Sequence, residues 1–421
     1  MNTAPRKASL LIVFLTVFID LLGFGMVLPL LPIYAKSFGV DEHGLTLGLL
    51  MSSFSAMQFL FAPMWGRLSD RIGRRPVLMI GLGGSTTCYA LFGVATLRHS
   101  LALLFAARMG AGIAGATIST AQAYIADSTT LKTRARGMAL IGAAFGLGFT
   151  FGPLLGAAAL LFAASPEDVG ASPWPGYVAA GLSGLALLLA AVMLPESLRK
   201  ESAPAQRTLF DLSSLKTAMA IPSIGLLLLT SFISVLSFGS FETTISLLLK
   251  GEKAGFQYTL AEVLYYFAFI GLVLTVAQGF LVRRLATRIP ETALATAGTL
   301  VSTVGFVCLA IASVRGEIAW LAVATIIEVT GFALVTPSLN SLISRRSDPA
   351  KQGGILGVAQ SAGSLARIAG PLLAMPLFFV SPAAPYWVAC GLMIASLMMV
   401  LIASRSGRDY ESAENAAAAT E

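Results

Sequence analysis

A chain of 421 residues that is 56% hydrophobic and 12% charged, with a mean hydropathy of +0.81, is not composed like a soluble globular protein, in which about 25% of residues are charged. Three cysteines (Cys88, Cys308 and Cys390), each inside an apolar run, exclude a disulfide framework and lack metal-ligand spacing. The net charge of +7 needs no nucleic acid to explain it, because topology accounts for it below.

The first apolar run, behind "MNTAPRKAS", continues through Asp20 to Pro32 without a small-residue cleavage site, so it reads as a retained helix rather than a signal peptide. A helix needs roughly 20 apolar residues to cross a ~30 Å hydrocarbon core. Twelve segments meet that length: 10–34, 45–66, 76–97, 101–125, 137–164, 175–194, 221–248, 261–282, 292–313, 318–343, 354–380 and 385–403. The polar stretch 195–220 divides them six and six. The expected fold is an all-α membrane protein with two six-helix bundles, 1–194 and 221–403, a central loop at 195–220 and a disordered tail at 404–421.

Lysine and arginine are retained on the cytoplasmic side. With the N-terminus inside, the inner segments hold 21 basic residues and the outer loops five, which places both termini in the cytoplasm. The halves also echo each other. "RLSDRI" (67–72) recurs as "RLATRI" (284–289), and "GPLLGA" (152–157) as "GPLLAM" (370–375), at offsets of 217 and 218 residues. Repeats of this kind are the architecture of many secondary transporters, with binding near the midplane.

Four stretches carry a resemblance. "GRLSDRIGRR" (66–75) has the pattern G-x-L-x-D-R-x-G-R-R. "LFAARMGAGIAGA" (104–116) places an arginine mid-span, and "GFTFGPLLGA" (148–157) reads G-x-x-x-G-P-x-x-G-A. "TVFIDLLGFGMVLPLLP" (16–32) sets an acid inside the first span. On these the chain resembles the major facilitator superfamily, and within it the twelve-helix drug:proton antiporters, including tetracycline-type exporters. The resemblance covers about residues 8–403. It implies secondary active transport by alternating access, with the first, fourth, seventh and tenth helices lining a central cavity and the third, sixth, ninth and twelfth facing lipid. It weakens at two points. Tetracycline exporters carry an acid in the ninth helix and a histidine in the eighth. Here 292–313 is uncharged and the histidines, His43 and His99, fall in loops, which argues against tetracycline as the substrate.

The cluster 66–75 reads as a short cytoplasmic loop in which Asp70 and Arg74 are one helical turn apart and able to pair. Gly66, Asp70, Arg71, Gly73, Arg74 and Arg75 form the expected conformational latch, with Asp127 and Arg136 as further members. The resemblance implies that Asp70 faces the start of the eleventh helix. The small residues Gly66 and Gly73 suggest close backbone approach.

Charges within spans are costly, at roughly 2.5–3.5 kcal/mol on insertion scales, so each is a functional candidate. Asp20, Arg108, Glu242, Glu328 and Arg367 are the candidates for proton coupling or substrate binding. Asp20 is the leading proton carrier, with Arg108 placed to pair with it or tune it. Three acids against two arginines favour a neutral or cationic substrate. Gly148, Gly152 and Gly156, with Pro153 between them, form a smooth face for helix packing.

No H-E-x-x-H, G-x-S-x-G or nucleotide-binding G-x-x-x-x-G-K-[ST] occurs, so neither intramembrane hydrolysis nor ATP-driven pumping is expected. The reading is proton-coupled efflux of a lipophilic small molecule across a bacterial-type inner membrane, by a monomer with no cofactor beyond protons. The alternative is a metabolite or lipid carrier on the same fold.

Overall fold

The computed structural model describes residues 7–38, 44–129, 131–163, 172–198, 216, 218–251, 256–347 and 352–407; for 7–9, 131–139, 222 and 352–354 it describes the backbone alone. The described residues contain no strand. Among the described residues, twelve helices are long and apolar enough to cross a membrane. They are α1 (Leu10–Ser37), α2 (Leu45–Ile72), α3 (Arg74–Leu97), α4 (Leu101–Asp127), α5 (Leu140–Leu160), α6 (Trp174–Met193), α7 (Ser223–Lys250), α8 (Leu260–Leu285), α9 (Glu291–Arg315), α10 (Ile318–Arg346), α11 (Ile355–Val380) and α12 (Ala384–Ser406).

Several helices outrun the spans read from the sequence, α2 to Ile72, α10 to Arg346 and α12 to Ser406. An apolar window stops at the first charge. The helix does not, because Arg71, Arg345, Arg346 and Arg405 sit in last turns where the partial negative charge of the helix end favours cations. Residues 404–406, expected in the tail, are therefore helical, and 408–421 lie outside the described residues, as do 199–215 and 217 of the expected central loop.

Among the described residues, three helices are interrupted. α1 turns at 28–30, where Pro29 and Pro32 lack the amide hydrogens a continuous helix requires. α4 breaks at Ala116–Thr117, where the Thr117 amide and the Thr117 hydroxyl both donate to the Ala114 carbonyl. The break leaves carbonyls of the last turn to accept from α2: Trp65 Nε1 donates to Ile113 at 2.7 Å and Gln58 Nε2 to Gly115 at 3.3 Å. α8 widens into a π-helical turn at Ala277–Val282.

Packing separates two compact units. The first comprises Met1–Glu42, Leu49–Leu209 and Gln257–Thr275, and the second His43–Gly48, Phe210–Phe256 and Val276–Glu421. In the first unit Val13, Val17 and Leu21 of α1 meet Leu78 and Leu82 of α3, Tyr124 of α4 and Ala186 and Ala190 of α6. In the second, Leu227 of α7, Val335 and Leu339 of α10 and Val400 of α12 share a core. Between membrane helices, where apolar burial supplies little drive, small residues let backbones approach. Gly148, Gly152 and Gly156 do so against α1. A Cβ on Gly152 would stand 2.7 Å from the Leu22 carbonyl oxygen, and one on Gly156 2.9 Å from Met26 Cγ. Pro153 lies within this helix, which runs unbroken over Leu131–Leu160.

Candidate functional site

Asp20 of α1 points between α3 and α6. Its Oδ1 accepts from Ser183 Oγ at 2.7 Å and its Oδ2 from Ser85 Oγ at 3.5 Å, and both serines are buried. Hydroxyls donate and accept, so this pair suits a carboxylate, to which both donate, and equally a carboxylic acid, whose proton one of them accepts. Neither serine figured among the expected site residues, since α3 and α6 were assigned to lipid. Their inner faces serve the acid instead.

Arg108 of α4 is 3% exposed and lies among aromatic rings. Its guanidinium carbon is 4.7 Å from the centre of the Phe54 ring and 6.0 Å from that of Phe24. Phe24 in turn meets Phe54 at 5.1 Å and Phe149 at 5.8 Å. A cation over ring faces is held by their quadrupoles. The expected ion pair of Asp20 with Arg108 does not form. The acid faces the serines, while the ring of Phe24, one turn further along α1, faces the arginine.

In the second unit Glu328 of α10 is fully buried and turned to α9, where Ser302 Oγ donates to its Oε1 at 3.2 Å. This departs from the expectation that α10 offers its acid to a cavity. Glu242 of α7 and Arg367 of α11 are both partly exposed and lie within electrostatic reach of one another, and Arg367 also donates to Ser364 at 3.1 Å.

The charged cluster is mostly helical. α2 ends at Ile72 and α3 begins at Arg74, so the expected loop shrinks to Gly73. Its φ of 109° is a conformation that favours glycine. Gly66 has a different setting, with nothing within 4 Å of where a Cβ would stand, so it makes no close approach. Arg74 is the hub. It pairs with Asp70 at 2.5 Å and Asp127 at 3.0 Å, and its Nη1 donates to Ser69 Oγ at 2.7 Å.

Glu196, not among the expected residues, caps α3. Its oxygens accept the amide hydrogens of Arg74 and Arg75 at 2.9 and 3.1 Å. A helix that opens on two arginines sets positive charge against its own positive end, and the glutamate offsets that. Arg75 donates to the Ala191 carbonyl, Tyr124 to that of Pro195, and Ser197 Oγ reaches Asp127 at 3.4 Å. Arg71 is exposed. Arg136 lies on the helix Leu131–Leu160 with its side chain outside the described residues, as are residues 348–351 before α11.

The family model for the Major Facilitator Superfamily matches residues 13–371. The chain belongs to the major facilitator superfamily. It is 33% identical over 375 residues to the class C tetracycline resistance protein of Escherichia coli, covering 89% of this chain and 90% of that one. It is 32% identical over 430 residues to the human major facilitator superfamily domain-containing protein 10, covering 90% and 89%. Among solved structures, the human organic anion transporter MFSD10 (TETRAN) superposes with a TM-score of 0.70 at 29% identity, over 95% of this chain and all of that one. A D-xylose–proton symporter shares the fold alone, at a TM-score of 0.71 and 15% identity.

The protein is thus a multi-pass major facilitator transporter of a small molecule, and not an enzyme. Within it, the charged residues read as lining a cavity divide by environment. Asp20 faces two serines and Glu328 one, each inside its own unit, whereas Arg108 lies among aromatic rings. The signal that could have found the serines was in the sequence: Ser85 and Ser302 are 217 residues apart, the spacing of the other repeats.

Proposed function

We propose that this transporter expels lipophilic small molecules in exchange for protons, by alternating access, from an inner membrane in which both termini face the cytoplasm and the chain acts as a monomer. The observation that carries the proposal is Asp20 in its serine cradle, a membrane carboxyl whose partners serve it with or without a proton. The tetracycline resistance relative, the Gly148–Gly156 face laid on α1, and the 21:5 distribution of basic residues support the direction and topology. Proteoliposomes with an imposed pH gradient test it, with tetracycline, the cation ethidium and the anion fluorescein as probes. Gradient-driven accumulation of one of them supports antiport, and gradient-independent equilibration of all three contradicts it.

A second reading concerns substrate charge. The sum of charges within the spans favoured neutral or cationic compounds. With Asp20 and Glu328 turned to serines, the charge set among aromatic rings in the first unit is Arg108, which favours a lipophilic anion. The human relative named an organic anion transporter supports the same reading. Preference for fluorescein over ethidium in that assay decides for the anion.

A further inference from the structure

The third helix of each half carries the same short pattern, "GLGGST" at 81–86 and "GTLVST" at 298–303, 217 residues apart. In both, the serine donates to an intramembrane acid: Ser85 to Asp20 on α1 and Ser302 to Glu328 on α10. The repeat keeps the hydroxyl and relocates the acid. Position 237, the counterpart of Asp20, is a serine, and position 111, the counterpart of Glu328, is an alanine.

Glu328 is enclosed where α9 and α10 run backbone to backbone. A Cβ on Gly305 would lie 2.5 Å from Glu328 Cα, and one on Gly298 3.0 Å from the Gly331 carbonyl oxygen. One on Gly331 would collide with the Ser302 backbone. Such a seam has no room for a substrate. The side chain is 0% exposed, and its Oε2 is buried without a hydrogen-bond partner among the described residues. α10 packs against α7, α9, α11 and the π-helical turn of α8. The ionisable groups on these elements are Arg345 and Arg346 in the last turn of α10 itself, Glu242 and Lys250 on α7, Arg283 and Arg284 after the π-helical turn, Glu291, Cys308 and Arg315 on α9, and Arg367 on α11. Among the described residues none forms an ion pair with Glu328. An ionised carboxylate there would hold an unserved anionic oxygen against apolar packing, which is costly unless water or a cation reaches it. With a proton bound, the group is neutral and needs no such partner.

We propose that Glu328 is a proton-binding site inside the second unit, occupied while the α9–α10 seam is closed and emptied to water when the seam loosens, with Ser302 as its positioning residue. On release the proton passes to the admitted water, and the Ser302 hydroxyl donates to the carboxylate left behind. The proposal rests on the proton-coupled reading above and adds to it a second acid that works without touching substrate, by biasing a packed element between two arrangements.

Infrared difference spectra of the purified protein during an alkaline titration read protonated carboxyl groups through their C=O stretch. Wild type is expected to lose a band that is absent from Glu328→Gln, present in Asp20→Asn and displaced in Ser302→Ala. Deuterium exchange of seam peptides, 298–306 and 324–332, is expected to rise above that of Glu328→Gln, compared at each pH, as the band disappears. A wild-type spectrum with no Glu328-dependent band overturns the site. Seam exchange that follows Glu328→Gln at every pH overturns the link to opening, and an undisplaced band in Ser302→Ala overturns the role of that serine. Neither measurement involves transport. Gradient-independent equilibration of all three probes in proteoliposomes would sink the proposed function while leaving this site standing, and a missing band would do the reverse.

Discussion

Arg74 meets Asp127 at 3.0 Å, and at the matching place in the second half Glu291 meets Arg345 at 2.8 Å with the charges exchanged. In both halves the bridge ties the start of the third helix to the end of the fourth. The first is the more enclosed, with side-chain exposures of 10% and 30% against 27% and 50%. It also sits within a network through Ser69, Asp70 and Ser197. Exposed pairs contribute about 0–1 kcal/mol. Double-mutant cycles read by thermal unfolding should therefore give a coupling above 1 kcal/mol for Arg74–Asp127 and below it for Glu291–Arg345. Equal couplings would mean that the network around Arg74 adds nothing.

The cap on α3 gives a second expectation. Glu196→Ala removes acceptors from two amide hydrogens and leaves two arginines at a positive helix end, which should lower stability by about 1 kcal/mol, the usual size of a lost cap. Arg71→Ala, at an exposed position in the same cluster, should stay within about 0.5 kcal/mol. Unfolding midpoints of the two variants in one detergent check this. A larger loss in Arg71→Ala would show that the cluster is organised around a different residue.

The α1–α5 contact gives a third. Gly25 and Gly152 approach so closely that a Cβ on Gly25 would lie 2.5 Å from the Gly148 carbonyl oxygen and one on Gly152 3.0 Å from Gly25 Cα. Backbone cannot yield as a side-chain tip can, so Gly152→Ala should cost about 1–3 kcal/mol, the range for overpacking a close-packed interior. Gly142→Ala, with open space at its Cβ, is the control. The two midpoints should separate, and coincidence would place the helices further apart than described.

The spans were legible because each is a long apolar run in one chain, and hydrocarbon thickness sets its length. Their ends were not, because a charged residue can close a helix as well as leave it. Within "GRLSDRIGRR" the pairing of Asp70 with Arg74 followed from helical spacing, but the two glycines could not be told apart. Gly73 holds a backbone angle that favours glycine, and Gly66 faces open space. Contacts between distant segments were the least visible. Glu196 reaches Arg74 across 122 residues and Ser183 reaches Asp20 across 163. Only the repeat offset linked Ser85 to Ser302, and it did so without revealing which acids they hold.

A fourth expectation separates the two readings of substrate charge. Arg108→Lys keeps the charge but replaces a flat, weakly hydrated cation that stacks on rings with a compact one that does not. If Arg108 receives a lipophilic anion, fluorescein flux should fall by about tenfold or more while ethidium is unaffected, since the stacked cation contributes on the order of 1–2 kcal/mol. Equal losses for both probes would assign Arg108 to holding the fold around Phe24 and Phe54.

Proton coupling through Asp20 is tested most directly by Asp20→Asn in proteoliposomes. The amide keeps the size of the carboxyl group and its oxygen acceptor for Ser183, but it cannot take up and release a proton. The variant should lose pH-gradient-driven accumulation of whichever probe the wild type transports, while still exchanging that probe down its own gradient. Accumulation at the wild-type level would contradict the assignment of the coupling proton to Asp20.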